Sequence, residues 1–294
     1  MNRITPLDAR GPAGVTPLRR PRRFAQLRRV AKRLARVPAR WVYAGYEARL
    51  LHQVQERSVP LHVGIILDGN RRHAREEGVV DYRRIYEAGA RKLDEVLDWC
   101  AALGVQAVTL WVCSTDNFAR RAEEVNGILG AVESKMRALV ADPRIHAMGV
   151  QVQAIGRLDL LPASLRTALE QARQATARNR QMTLTIAANY GGREEIADAL
   201  RSLLHDCAAE GQTLAQATEA VTPAAIGRHL YSPHLPDPDL IIRTSGELRL
   251  SGFLLWQSVH SEFHFTDVNW PAFRRIDFLR AIRTFQTRDR RFGR

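Results

Sequence analysis

The sequence predicts an α/β fold, with a single domain built around a central, mainly parallel β-sheet covered by helices. From residue 61 onward, short apolar runs typical of strands alternate with longer amphipathic stretches typical of helices. Those stretches are long enough to act as the crossover connections that parallel strands require. At 294 residues, the chain can also bury a substantial core. A parallel sheet places its chemistry in the loops beyond the carboxyl ends of its strands.

Strands are predicted where a short apolar run is bounded by polar or turn-forming residues. These runs are His62–Leu67, Val105–Cys113, Val150–Ile155, Met182–Ala188 and Leu240–Arg243. Helices are predicted where apolar residues recur every three to four positions, as Ile85, Ala88 and Leu93 do. They cover residues 40–57, 84–103, 122–141, 163–180, 192–209 and 273–288.

Positive charge is concentrated at the N-terminus. The formal net charge is +13, from 44 Lys and Arg against 31 Asp and Glu. Residues 1–60 hold 14 of these cations and only three acids, so the remaining 234 residues carry a net charge of only +2. A nucleic-acid-binding domain usually spreads basic charge over its folded surface, so this distribution argues against a nucleic-acid partner. No apolar stretch approaches the roughly 20 residues of a membrane-spanning helix.

The N-terminal extension divides into two parts. Residues 1–21 mix Pro, Gly, Thr and Arg without periodicity, which predicts a disordered basic tail. Within residues 22–60, a basic amphipathic helix is predicted at 22–37, ahead of the lead-in helix at 40–57. Basic amphipathic helices are typical of peripheral contact with anionic membranes. A helix docked on its own protein and a nucleic-acid arm remain alternatives.

Cysteine and histidine usage excludes two other classes. The three cysteines, Cys100, Cys113 and Cys207, are far apart and form no CxxC pair, which argues against a disulfide scaffold or a cysteine-rich zinc site. None of the nine histidines has the HExxH spacing of a zinc enzyme. A reducing, cytoplasmic setting is expected.

Polar residues collect directly after the first predicted core strand, at Asp68–His73. Gly69 would let the backbone approach a ligand, and free amides at a helix start favour phosphate oxygens. The Asp68 carboxylate is a hard oxygen ligand that could hold magnesium against that phosphate. A plain turn is the alternative for this segment. Neither GxxxxGK nor GxGxxG is present, which argues against kinases and dinucleotide-binding enzymes.

Two further segments carry the same chemistry. Ser114–Arg120 follows the second strand, although its Ser and Thr could simply cap a helix. Arg243–Ser251 follows the strand at 240–243, and its arginines suit a diphosphate because guanidinium groups match phosphate oxygens bidentately. Glu262 is a second candidate metal carboxylate. Together, these segments predict a magnesium-dependent site for two anionic groups.

From about His62 to the C-terminus, the sequence resembles the cis-prenyltransferases, the family of undecaprenyl diphosphate synthase and related isoprenyl transferases. The resemblance rests on six ordered blocks: HVGIILDGNRRHA, STDNFARRAEEV, LTIAANYGGREEI, PDLIIRTSGELRLSGFLLWQ, SEFHFTDVNWPAF and RDRRFG. It implies that residues 61–294 form the catalytic domain, with a hydrophobic tunnel enclosed by the fold. It also implies condensation of isopentenyl diphosphate with an allylic diphosphate in cis geometry, with Mg²⁺ as the cofactor and a homodimer as the assembly.

The resemblance also implies residue roles, carried over along the motifs. Asp68 matches the aspartate at the metal and the allylic diphosphate, Glu262 matches the second metal carboxylate, and Asn117 matches the asparagine proposed to help remove the proton. The implied starter-diphosphate cradle is Gly69, Asn70, Arg71 and Arg72. The pocket residues are Ser114, Thr115, Asp116 and Arg120, and the isopentenyl diphosphate site is Arg243, Arg249 and Ser251. The predicted substrate-binding set also includes His73, Tyr86, Phe118 and Leu250. Arg291–Gly293 matches a segment that reaches the neighbouring subunit's site in dimeric members.

Several positions depart from the commonest family pattern. His73 and Phe118 stand where tryptophans are usual, Asp116 replaces Glu, and Tyr86 replaces the usual His. Tyr86 and the YEARL segment resemble short-chain members that make Z,E-farnesyl diphosphate, so a short product from geranyl or farnesyl diphosphate is expected. Val112 is a candidate length-controlling position, with plain strand packing as its alternative. The aromatic residues of 253–256 and 263–270 are expected in the core or a dimer interface rather than in the tunnel.

Two other functions compete with this expectation. A long-chain polyprenyl diphosphate synthase for a cell-wall lipid carrier would carry the same motifs. A non-catalytic accessory subunit is the alternative of a different class, but such subunits tend to lose the first-strand Asp and the C-terminal RxG. This chain keeps both Asp68 and Arg291–Gly293. The expected location is cytoplasmic, with peripheral contact to the inner face of the membrane through residues 22–37.

Overall fold

The computed structural model describes residues 43–287 and confirms the predicted α/β class. Its strands are β1 (His62–Ile66), β2 (Ala107–Trp111), β3 (Val150–Ile155), β4 (Met182–Ala187), β5 (Leu240–Arg243) and β6 (Glu262–Phe265). They form one sheet in the order β3-β4-β2-β1-β5-β6, and every neighbouring pair is parallel. The predicted parallel sheet is therefore confirmed. The hydrophobic tunnel stays a prediction.

Ten α-helices occur among the described residues. They are α1 (43–55), α2 (Asn70–Glu76), α3 (Tyr82–Leu103), α4 (Ala122–Ala141), α5 (Pro143–Ala147), α6 (Ala163–Ala175), α7 (Gly192–Ala209), α8 (Leu214–Ala220), α9 (Pro223–Arg228) and α10 (Arg275–Thr287). The helix predicted over 163–180 ends five residues early, because the Thr176 hydroxyl accepts from the Val152 amide and donates to the Ala172 carbonyl. The helix predicted from residue 273 begins at Arg275, where the Asp277 carboxylate accepts from the Arg274 amide at 3.2 Å.

The short elements could not be predicted from the sequence. Helices α2, α5, α8 and α9 span only five to seven residues, too few for an apolar periodicity to repeat. Strand β6 has four residues, and all of them are half-buried. It pairs with β5 in a register that sets Glu262 opposite Leu240 and Phe265 opposite Arg243.

The core lies on both faces of the sheet, because successive strand residues point to opposite sides. On one face, Ile65 and Ile242 belong to the large cluster shared with α3, α4, α6 and α10. On the other face, Ile66 and Ile241 belong to a smaller cluster that includes Phe253. The Phe253 ring stacks on Trp111 with 5.4 Å between the ring centroids. Phe253 therefore belongs to the core, as expected.

The N-terminal predictions lie largely outside the described residues. The tail at 1–21 and the amphipathic helix at 22–37 cannot be placed, whereas α1 occupies most of the predicted lead-in helix. Within the unit that begins at Arg49, Leu50 and Val54 are buried, and Gln286 donates to the Val54 carbonyl at 2.8 Å. No helix among residues 43–287 is long and apolar enough to cross a membrane.

Candidate active site

The carboxyl ends of β1, β2 and β5 meet at one edge of the sheet and open into a cleft of about 460 Å³. The register explains this meeting, because Ile66 at the end of β1 pairs with Trp111 of β2 and with Arg243 of β5. The predicted site residues that line the cleft are Asp68, Gly69, Asn70, Arg71, Arg72, Tyr86, Ser114, Asp116, Asn117, Arg120, Arg243, Arg249 and Ser251.

Asp68 is held at the mouth of this cleft by the turn after β1. Its backbone amide donates to the Thr244 hydroxyl at 3.0 Å, and that hydroxyl donates to the Asp68 carbonyl at 2.7 Å. Its carboxylate accepts from the Gly69 amide and from the Arg243 guanidinium, both at 2.8 Å. With 37% of its side chain exposed, the carboxylate is fixed in place and still open to a ligand.

Gly69 is required by the turn that starts α2. Its φ of 93° lies in the left-handed region, and a Cβ there would come within 2.4 Å of Asn269 Oδ1. No side chain in the described part of the chain caps the first-turn amides of α2. These amides therefore stay available beside Arg71 and Arg72, an arrangement that suits phosphate oxygens.

Arg243 ties the end of β5 to the loop that follows it. It is 4% exposed, and its guanidinium donates to the Asp68 carboxylate, to the Ser251 hydroxyl at 2.9 Å and to the Arg249 carbonyl. Its Nε is buried without a hydrogen-bond partner in the described chain. Arg243 thus fixes Asp68 and the Ser251 loop relative to each other.

Arg72 of α2 and Arg249 of the loop after β5 both pair with Glu247. Arg72 donates to the Ser245 carbonyl at 2.5 Å, to the Ser245 hydroxyl at 2.7 Å and to Glu247 at 3.4 Å. Arg249 pairs with Glu247 at 2.5 Å and is 65% exposed. Ser245 and Gly246 both have positive φ, which turns this loop back over the cleft.

Glu124 holds the side chains of Arg71, Tyr86 and Arg120 at the cleft. Its side chain is 4% exposed and accepts from the Arg120 guanidinium at 2.7 Å, the Tyr86 hydroxyl at 2.9 Å and the Arg71 guanidinium at 3.2 Å. Burial alone would raise the pKa of Glu124, but these hydrogen bonds and charges lower it below its ordinary value. Burial, together with the hydrogen bond to Glu124, raises the pKa of Tyr86. The ionised carboxylate therefore holds both arginines at the cleft.

The segment after β2 forms a 3₁₀ turn, Thr115–Ala119. The Asn117 side-chain oxygen Oδ1 accepts from the Ser114 amide at 3.3 Å and closes this turn. The next helix, α4, has Arg121 at its N-cap position, so the alternative interpretation, in which Ser114 and Thr115 cap that helix, is wrong. Asn117 and Asp116 line the cleft. Phe118 packs against the large core cluster, and Thr115 does not line the cleft.

The structure does not bring every predicted residue to this edge. His73 lies in the last turn of α2, and Leu250 packs against the smaller core cluster. Glu262 pairs with the first residue of β5, about 10 Å along the strand from Arg243, so it lies at the amino-terminal edge of the sheet. The expectation that Glu262 shares the carboxyl edge with Asp68 is therefore wrong within one chain, and its role at a metal stays a prediction.

Four residues of the site were not assigned from the sequence. Arg75, Ser245 and Glu247 line the cleft, and Glu124 holds its arginines. Arg75 follows Arg71 by four positions on α2, and this helical spacing could have identified it. The position of Glu124 four residues after Arg120 was a comparable signal.

The carboxylate oxygens of the cleft suit a magnesium ion that is bound together with a phosphorylated ligand. No group of three or more acidic, His or Cys side chains that could hold a metal occurs among the described residues. Mg²⁺ usually binds through one or two carboxylates together with substrate phosphates and water. The half-exposed Asp68 carboxylate, with Asp116 in the same cleft, meets that requirement.

A parallel sheet whose carboxyl edge gathers several arginines and the Asp68 carboxylate defines an α/β protein with a cleft suited to phosphorylated ligands. Comparison with known proteins identifies the family within this class. A family model described as "Putative undecaprenyl diphosphate synthase" matches residues 66–293. An isoprenyl transferase of Deinococcus radiodurans is 54% identical over 250 residues, covering 85% of this chain and 91% of the relative.

Two further proteins that this chain is similar to are named as diphosphate synthases. A (2Z,6E)-farnesyl diphosphate synthase of Thermobifida fusca is 50% identical over 260 residues, covering 88% of this chain and 99% of the relative. The crystal structure of lavandulyl diphosphate synthase from Lavandula x intermedia, in complex with dimethylallyl diphosphate, matches with a TM-score of 0.72 at 32% identity. That match covers 80% of this chain and 99% of the other. The chain belongs to the undecaprenyl diphosphate synthase family of cis-prenyltransferases.

Proposed function

We propose that this protein condenses isopentenyl diphosphate with geranyl or farnesyl diphosphate in cis geometry and releases diphosphate. The observation that carries the proposal is the presence of two sets of arginines, from two different elements, in one cleft with Asp68. Arg71 and Arg72 lie beside the free amides of α2, whereas Arg243 ends β5 and Arg249 lies on the loop after it. Two diphosphates bound to these two sets of arginines would bring their carbon chains together beside the apolar side chains that line the cleft.

The reaction breaks the bond between C1 and oxygen in the allylic diphosphate, and the electron pair leaves with the diphosphate. The double bond of isopentenyl diphosphate supplies the electrons of the new carbon–carbon bond, and loss of a proton from its C2 forms the new cis double bond. Arg71 and Arg72 stabilise the charge that grows on the departing diphosphate. Asn117 helps remove the proton, and Arg243, Arg249 and Ser251 hold the isopentenyl diphosphate.

Asp68 is the residue that would hold magnesium in this cleft. The bound ion would neutralise charge on the leaving diphosphate. Asp68 is suited to this role because its carboxylate is fixed by Arg243 and Gly69 and yet 37% exposed.

A short product, Z,E-farnesyl diphosphate, is the length that we propose. The apolar cavity that continues the cleft measures only about 60 Å³, and Val112 and Tyr86 stand at its entrance. The Thermobifida fusca relative is named for this product. The family description names undecaprenyl diphosphate, so family membership alone leaves the length open.

Product analysis by mass spectrometry tests the proposal. The purified protein is given Mg²⁺ and isopentenyl diphosphate with dimethylallyl, geranyl or farnesyl diphosphate in turn. One addition to geranyl diphosphate is expected. A ladder near ten or eleven isoprene units would identify a long-chain synthase instead, and no product from folded protein would favour an accessory subunit. Light scattering on the same sample tests the proposed homodimer.

A further inference from the structure

The apolar cavity has one charged side chain in its described lining. The cavity shares Leu67, Tyr86, Val112 and Ile128 with the cleft, so it continues the cleft away from the arginines. Aliphatic side chains of β2, α3 and α4 form most of its wall. Lys135 is the exception, and its side chain is 12% exposed.

Lys135 lies at the deep end of this cavity. Helices α3 and α4 are joined at two levels, first by the 2.9 Å bond between Tyr86 and Glu124 and then by the 2.5 Å pair between Asp94 and Lys135. Asp94 follows Tyr86 by eight residues, and Lys135 follows Glu124 by eleven. At a rise of about 1.5 Å per residue, the second level lies roughly 12–16 Å below the first.

Charges outside the cavity anchor the pair. The Asp94 carboxylate lies 3.8 Å from an Arg144 guanidinium nitrogen, and Arg144 also pairs with Asp142 at 2.7 Å. A lysine ammonium that moved into the apolar cavity would lose both its partner and its water, which is costly. The Lys135 head group is therefore held at the bottom of the cavity.

We propose that the Lys135–Asp94 ion pair is the floor that stops the growing prenyl chain. This inference rests on the proposed function. Each isoprene unit adds four chain bonds of about 1.5 Å each, about 6 Å along the bonds and roughly 5 Å end to end because the chain zigzags, so the distance between the two levels matches about three units. A longer chain would have to push the Lys135 ammonium away from Asp94 or end against these paired charges, and either arrangement is unfavourable.

Two substitutions test this floor from opposite helices. Lys135→Ala and Asp94→Ala are each assayed in the full-length protein with geranyl diphosphate, isopentenyl diphosphate and Mg²⁺, and the product lengths are measured by mass spectrometry. We expect the ratio of products longer than 15 carbons to 15-carbon product to rise at least about tenfold in both. Circular dichroism confirms that each variant is folded, and either folded variant suffices for the test.

Lys92→Ala is the matched control. Lys92 is also 12% exposed and is paired with Glu95 at 2.7 Å, but it does not line the cavity. We expect this variant to keep the product distribution of the unmodified protein. Unchanged lengths in folded Lys135→Ala and Asp94→Ala variants that still make product would overturn the inference, as would equal lengthening by Lys92→Ala. Absence of any prenyl product from the unmodified protein would instead refute the proposed function.

Discussion

Asp68 and Glu124 hold three arginines of the cleft, and Glu247 holds Arg72 and Arg249. Asp68 pairs with Arg243 at 2.8 Å, while Glu124 pairs with Arg120 at 2.7 Å and with Arg71 at 3.2 Å. Guanidinium groups fixed before the substrates arrive do not have to reorganise as charge develops on a diphosphate. The carboxylates therefore contribute to catalysis through the geometry that they impose.

Asp68→Asn removes the charge of the proposed metal ligand and keeps its size. We expect kcat to fall about 100-fold to 1,000-fold, the scale found when one electrostatic contact to a transition state is lost. Steady-state kinetics with geranyl diphosphate and varied Mg²⁺ measure this loss. Circular dichroism should show an intact fold, and magnesium-dependent turnover close to that of the unmodified protein would mean that the metal site is assigned to the wrong residue.

Glu124 should make stability depend on pH on the acid side. Because the folded protein lowers the pKa of Glu124, its contribution to stability is present above the unfolded pKa of about 4.3 and is lost as the pH falls through the folded pKa. Glu124→Gln should therefore be less stable than the unmodified protein at pH 7, with a difference that shrinks towards about pH 3. Urea unfolding across this range measures the difference.

Glu123→Gln is the control for that experiment, because Glu123 is adjacent in sequence but its side chain is 67% exposed. We expect this variant to follow the unmodified protein at every pH. A Glu124→Gln deficit that stayed constant from pH 7 to pH 3 would show that the ionised carboxylate is not what holds Arg71 and Arg120.

Sequence alone predicted Asp68 and Arg243 as site residues because Asp68 directly follows one apolar strand and Arg243 ends another. It did not predict Glu124, because an acidic residue in the first turn of a helix is commonly explained by the helix dipole. Its partners come from α2, from α3 and from the loop before α4, and only the packed structure brings them together. The position of Glu262 could not be predicted for a similar reason. It depends on strand β6, which the sequence does not predict.

At the scale of elements, the turn from β1 into α2 positions the proposed site of the starter diphosphate. Gly69→Ala would strain a positive φ and would also place a methyl group 2.4 Å from Asn269 Oδ1. We expect the KM for the allylic starter to rise at least about tenfold, since the first-turn amides of α2 would shift. Initial rates at varied geranyl diphosphate measure the change.

Gly78→Ala separates the effect of backbone strain from the effect of a steric clash. Gly78 also has a positive φ, 70°, but a Cβ there would meet nothing within 4 Å. This variant should lose about 1–2 kcal/mol of stability through backbone strain and keep the KM for the starter. Equal effects of the two substitutions on KM would show that the close approach of Gly69 to Asn269 is unimportant for binding.

The long elements could be predicted from the sequence and the short ones could not. Helix α4 agrees with its predicted bounds because its apolar positions repeat over 20 residues. Helix α2 has seven residues and a single buried side chain, Ala74, so its sequence carries no periodic pattern. Its helical form follows from the Gly69 turn and from packing against α3, which are tertiary effects.

At the scale of the whole molecule, charge and chemistry are separated along the chain. Residues 1–60 carry a net charge of +11, whereas the remaining 234 residues carry only +2. The cleft and the apolar cavity both lie in the second part, and its substrates would be amphiphilic diphosphates. An amphiphilic product and a basic N-terminal segment together favour a protein that acts at a membrane surface.

Deletion of residues 1–40 should therefore separate membrane binding from catalysis. The truncated protein loses the 12 Lys and Arg of that segment, so its sedimentation with vesicles containing phosphatidylserine should fall strongly, and more so at low salt than at high salt. Its kcat with water-soluble geranyl diphosphate should stay within about twofold, because the cleft residues all lie beyond residue 60. Vesicles of neutral lipid serve as the control and should bind both forms weakly. Equal binding of anionic vesicles by the full-length and truncated proteins would mean that the basic segment has another partner.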